Sequence, residues 1–241
     1  MLSSDRKVQM NRLKALAKNG NSELAWIIGE GYLDGYICLH DGKTPVRRNR
    51  KAAERWLRIA SEQGNGNAML ALSSLLIKNY GENCYAEALA WEMKAIELRM
   101  NYAAHNAAIT ASMMGKRKMA YRLLKTSYNE CPAETSLLLG VCLFAGYGCR
   151  RDMKQAELYF LQGAAAHNNL DANRVKAIFF VSAIRHGVPF SVRTHIGVEQ
   201  PPKIFDHKSV DLFRKLAKNA ALSIPAQCAL AETLAQLDAP K

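Results

Sequence analysis

Apolar residues recur at i, i+3, i+4 and i+7 along most of the chain, the spacing of one face of an α-helix, and strict apolar–polar alternation is nearly absent. The pattern predicts a helical chain and argues against β-structure. It also repeats. Ala53, Trp56, Leu57, Ala60, Ser61 and Gly64 set out an order of small and large positions. That order returns at Ala88, Trp91, Glu92, Ala95, Ile96 and Arg99, and again at Ala120, Leu123, Leu124, Ser127, Tyr128 and Cys131. A further copy reads Ala156, Tyr159, Phe160, Gly163, Ala164 and His167, and a weaker one Val210, Phe213, Arg214, Ala217, Lys218 and Ala221. First positions step by 35, 32, 36 and 54 residues. A period near 35 is that of two-helix solenoid repeats.

A second helical stretch precedes each copy, Leu24 to Tyr32 in the first and Ser136 to Phe144 in the fourth. Glycine turns such as Gly146-Tyr147-Gly148 join the two, where the backbone needs positive φ. One short amphipathic pair cannot bury its apolar face alone, and stacked neighbours complete the core. The small residues Ala53, Ala60, Gly163 and Ala164 admit close helix approach, and Trp56, Trp91, Tyr159 and Phe213 are expected to fill the space between repeats.

The fourth copy reads Leu139-Gly140, Leu143, Gly146, Gly148-Cys149, Asp152, Gln155-Ala156, Tyr159-Phe160, Gly163-Ala164 and His167. The first matches in two halves, Gly29, Tyr32 and Gly35, then Asn49, Ala53, Trp56-Leu57, Ala60-Ser61 and Gly64, with 8 extra residues between them. In these positions the chain resembles the Sel-one-like repeat family, relatives of the tetratricopeptide repeat. The resemblance implies an all-α fold, a right-handed α/α superhelix (solenoid) of about five two-helix repeats with single capping helices at both ends. The repeats are placed at 22–66 (with an insertion at 36–48), 67–101, 102–132, 133–168 and 169–222 (with an insertion at 187–207). The caps are placed at 1–21 and 223–241. Secreted, cysteine-rich members staple neighbouring repeats with regularly placed cysteines. Here Cys38, Cys84, Cys131, Cys142, Cys149 and Cys228 share no repeat position, and buried thiols are expected, at Cys142 and Cys149 included.

Composition changes the picture in one respect. The chain of 241 residues has 33 Lys and Arg against 21 Asp and Glu, a net charge of +12, which favours acidic partners. No apolar run approaches the ~20 residues of a membrane span; the best, Ala177 to Ile184, lies between Lys176 and Arg185. The first residues carry no apolar export core, so a cytoplasmic protein is expected. Phosphate-cradling and zinc-protease motifs are absent, as are the nucleophile elbow and the SxxK and KTG of a β-lactamase-like hydrolase, so no enzyme, cofactor or metal is expected. Cys38 with His40, and His186, His195 and His207, read as scattered side chains rather than ligands. Basic residues cluster at Arg6–Lys18, Lys43–Arg58 and Lys116–Lys125, the last without an acid. A solvated face is the first reading, an electrostatic docking surface the second. Nucleic acid is the disfavoured third, because no aromatic-interleaved basic strand is present.

In the resembling fold the first helices of the pairs line the concave wall. Counting from the packing positions around Gly29 and Gly140 places Trp26, Glu30, Leu33 and Asp34 on that wall, then Leu70, Ser74, Ile77 and Lys78. Next come His105, Ile109 and Met113, then Leu137, Val141 and Phe144, then Arg174 and Phe180. Leu137, Val141 and Phe144 can equally be core. An apolar groove with sparse charge suits a protein partner, with Trp26, Glu30, Asp34, Lys78, His105, Phe144 and Arg174 as candidate contacts. The expected function is a protein-binding module. Its most specific form, which the resemblance implies for bacterial members, is an immunity protein that occludes a toxic effector; an adaptor is the alternative. The insertions at 36–48 and 187–207 are candidates for setting partner choice.

Overall fold

A computed structural model describes residues 4–39 and 42–166. The fifth repeat, the closing cap, the insertion at 187–207, Arg174, Phe180, Phe213 and Cys228 lie outside the described residues, as do His40 and the histidines at 186, 195 and 207. The chain divides into two compact units, Met1–Thr110 and Ala111–Lys241.

In the first unit, helices α1 (Ser4–Lys18), α2 (Ser22–Asp34), α3 (Arg50–Glu62), α4 (Gly66–Tyr80) and α5 (Tyr85–Glu97) each pack on the next in sequence. Three of them start in the same way. The side chains of Asn21, Asn49 and Asn65 accept the backbone N–H three residues on, at 2.9, 3.0 and 2.9 Å, and so satisfy donors that the first turn leaves free. Helix α2 ends at Gly35, whose φ of 90° lets its N–H donate to the Gly31 carbonyl. Helix α3 buries Ala53, Trp56, Leu57, Ala60 and Ser61, the face that its spacing predicts.

Helix α6 (Ala103–Met113) crosses the boundary between the units. In the second unit, α7 (Arg117–Ser127) packs on α8 (Pro132–Ala145), and α8 on α9 (Met153–Ala166). Pro132 opens α8 at a position where its missing N–H costs nothing. Gly146 closes it with φ of 70°, and Gly148 (φ 74°) lies so close to the Arg117 carbonyl that no Cβ could fit. The side chain of Asp152 caps α9 by accepting the Gln155 N–H at 3.0 Å. Within the units the helix pairs α2/α3, α4/α5 and α8/α9 pack on one another, at the spacing that the repeat period predicts.

Two expectations need correction. The chain is not free of β-structure: residues 36–45, in the first insertion, form an antiparallel pair, β1 (Tyr36–Leu39) and β2 (Gly42–Pro45), with Ile37 opposite Thr44. Ile37 is fully buried against Gly31 of α2, and a Cβ at that glycine would collide with it. The aromatic positions are the other case. Trp56 is buried and Trp91, though half-buried, packs against both neighbouring core clusters as expected, whereas Tyr159 is half-buried and meets Tyr128 edge-on. The fully buried position comes one residue later, at Leu57, Glu92, Leu124 and Phe160. Leu57 faces Gly29, and Phe160 faces Gly140, where an added Cβ would lie 2.5 Å from the ring. The glycine of the first helix therefore receives the large side chain of the second.

Candidate functional site

Helices α2 and α4 and the first residues of α3 enclose a cleft of about 740 Å³ in the first unit. Helix α2 supplies Glu30, Tyr32, Leu33 and Asp34; α4 supplies Ala71, Ser74, Leu75 and Lys78; the chain entering α3 supplies Arg48, Asn49 and Arg50. Four-residue spacing on α2 puts Glu30 and Asp34 on one face, and the same spacing on α4 does so for Ser74 and Lys78. The position of Arg48 follows from the hairpin. Once β2 has returned the chain to α2, the Arg48 Nε donates to the Asp34 carbonyl at 3.1 Å.

The cleft is electrostatically divided. Glu30 is half-buried, and burial first, then the nearby Asp34 carboxylate, raises its pKa above the usual carboxylate range. Arg48, Arg50 and Lys78 line the same hollow as cations. None of these five side chains forms a salt bridge among the described residues. The charges thus remain available to a visitor, and Leu33, Ala71 and Leu75 add apolar lining.

Of the candidate contacts, Glu30, Asp34 and Lys78 meet in this cleft. Trp26 does not line it; the indole is half-buried and packs against the core formed by Ile28, Trp56 and Leu57. His105 is half-buried on α6. In the second unit, Leu137 (9% exposed) and Val141 (0%) are core, and Phe144 is half-buried with the Arg151 guanidinium 5.3 Å from its ring centre. Sequence reasoning missed Arg48, Asn49 and Arg50 as lining residues. The basic run at Lys43–Arg58 contained the signal, but only the hairpin shows which of its members turn toward α2 and α4.

Among the described residues no three His, Cys, Asp or Glu side chains come together as metal ligands, and no helix is long and apolar enough to cross a membrane. Cys142 is buried and its thiol pKa is pushed up to about 12 by burial; Cys149 donates to the Cys142 carbonyl at 3.5 Å, and both are free thiols.

Comparison with known proteins gives two kinds of match. The Sel1 repeat family model matches residues 32–65, from the last residues of α2 through the strand pair and α3, and residues 133–168, which take in α8 and α9. One similar solved structure is a protective antigen present in uropathogenic Escherichia coli strains, displaying an SLR fold, at 21% identity and a TM-score of 0.59. That match covers 86% of this chain but 40% of the antigen, so the chain spans well under half of that protein's length. A second is a Sel1 repeat protein from Oxalobacter formigenes, also at 21% identity, with a TM-score of 0.55 and 86% of this chain and 75% of that one covered. No curated protein matches the sequence.

Proposed function

We propose, from the premise that this chain is a Sel1-like repeat protein, that it is a non-enzymatic module whose α2–α4 cleft binds another protein. Sel1 repeat proteins are in general protein-interaction scaffolds. The observation that supports a binding role at this place is the cleft itself. Two carboxylates and three cations share the lining with Leu33, Ala71 and Leu75, and none of the charges is satisfied by an internal ion pair. Such a site suits a partner that inserts an apolar side chain between groups of both signs, with the charged groups fixing orientation and the apolar lining supplying affinity.

In its specific form the module is a cytoplasmic immunity protein that neutralises a cognate toxin by covering it, and the net charge of +12 favours an acidic toxin surface. The adaptor reading shares the cleft and differs in the partner. A paired test separates them. The partner is first identified by affinity purification from the native cell and then bound to purified wild type and to Ser74→Arg. Ser74 is exposed on α4, so the larger side chain fills the cleft without entering the core. Affinity is expected to fall at least about tenfold, or 1.4 kcal/mol, with the melting temperature unchanged. Undiminished binding would remove the cleft from the interface. If the partner is toxic when expressed alone, co-expressed wild type should restore growth and Ser74→Arg should not; a harmless partner assigns the chain to the adaptors.

A further inference from the structure

We infer that the outer face of α7 is a docking stripe for an acidic polypeptide segment, built by Lys118, Arg122 and Lys125. The stripe rests on the protein-binding reading and names a second contact for it, sharing no residue with the cleft. The three residues follow i, i+4 and i+7, so they lie within one narrow face and span roughly 10 Å of helix. All three are exposed, and the opposite face, Ala120, Leu124 and Ser127, is buried. Beside the N-terminal end of the stripe lies a hollow of about 650 Å³, lined in part by Lys116, Lys118, Met119 and Arg122.

What marks α7 is that the helix carries no acid of its own. From Lys116 to Asn129 the chain contains no Asp or Glu. On α3, by contrast, the Arg58 guanidinium is clamped by Glu54 of its own helix and by Glu87 of α5. No cation of α7 has a carboxylate partner among the described residues. Like charges three and four residues apart repel one another, and an incoming carboxylate relieves that repulsion.

The chemistry of the face favours a polypeptide among anionic partners. Single-stranded nucleic acid binding uses exposed rings on which bases stack, but Tyr128 is held edge-on against Tyr159, ring centres 5.3 Å apart, and donates its hydroxyl to Gln162. Membrane-surface helices need an apolar face to sink into the lipid, and none of the exposed large apolar residues lies on α7. Carboxylates spaced along an extended or helical segment match the stripe without either feature.

The test uses the full chain and a fluorescein-labelled deca-glutamate peptide, read by fluorescence anisotropy at low salt. The triple variant Lys118→Glu, Arg122→Glu, Lys125→Glu is expected to lose at least about tenfold in affinity. An isocharge control, Arg47→Glu, Lys51→Glu, Arg55→Glu, should stay within about twofold of wild type. Equal losses in the two variants would mean that net charge alone attracts the peptide, and no loss in the first would remove the stripe; either overturns the inference. So does tighter, stripe-dependent binding of duplex DNA or phosphatidylserine vesicles. Should the reversal variant lose its helical circular dichroism, Lys118→Gln, Arg122→Gln, Lys125→Gln decides on the same criterion. Ser74→Arg should bind the peptide like wild type, so failure of the stripe and failure of the cleft are read separately.

Discussion

Glu92 occupies the position that holds Leu57, Leu124 and Phe160 in the other helix pairs, and it is 2% exposed. Its Oε1 accepts from Ser73 at 3.0 Å and Thr110 at 3.1 Å, while Oε2 has no partner. Those hydroxyls are the polar groups that face it from α4 and α6, and no charged side chain contributes to its shift. Burial raises the pKa to about 7, against which the two hydrogen bonds act. A carboxyl whose pKa is higher folded than unfolded binds more protons in the native state, so its stabilisation is complete below the unfolded value, near 4.5, and is lost as pH rises toward 7. The loss is on the order of 3 kcal/mol, one pKa unit being about 1.4 kcal/mol. Chemical denaturation from pH 4.5 to 8 should show wild type losing stability across that window. Glu92→Gln should flatten the dependence and be the more stable protein at pH 8. Trp56, 7% exposed, makes a simpler case: Trp56→Ala should cost about 3–5 kcal/mol by removing a large core ring. An unfolding midpoint close to wild type would show that the indole is not part of the core.

Helix pairs are what the sequence displays most openly, because each element carries its own spacing and start signal. Asn49 and Asn65 cap the helices that the apolar pattern already outlines, and Gly146 ends α8 where a left-handed residue is needed. The meeting of Gly140 with Phe160 was less legible. Ring position Tyr159 looked like the packing residue, but helical rotation turns the next side chain toward the glycine. Gly140→Ala should therefore destabilise the α8–α9 pair by roughly 1–3 kcal/mol, and Phe160→Leu in the same chain should recover part of it. Thermal melts of the single and double variants check both statements. The hairpin at 36–45 escaped because its strands are short and show little alternation. Asp41-Gly42 after Tyr36-Ile37-Cys38-Leu39 was the available hint, a turn-forming pair behind residues that favour strands.

At the scale of the molecule, repeat identity was legible wherever small and large positions kept their order, as at 32–65 and 133–168, the segments that the Sel1 repeat family model matches. The lining of the cleft was legible in part. Glu30, Asp34 and Lys78 share a cleft because their spacing is helical, whereas Arg48 reaches it through a tertiary path that no local period encodes. Trp26 shows the limit of counting along a helix: counting puts it on the wall beside Glu30, but it does not line the cleft, and its half-buried ring packs against the core. The basic surplus of +12 favours acidic partners in general and points to no particular face, since charge tallies carry no direction.

The couple of Ser73 and Glu92 also bears on how a chain of similarly patterned helix pairs avoids threading itself wrongly. Leu57, Leu124 and Phe160 would each be tolerated, with adjustment, against a neighbour's small residue. A carboxyl docked against Gly29 or Gly140 would find no hydroxyl from that position and would be stranded in hydrocarbon. Docking α5 against α2 or α8 is thereby penalised, and the odd polar residue favours α4, whose Ser73 hydroxyl meets it.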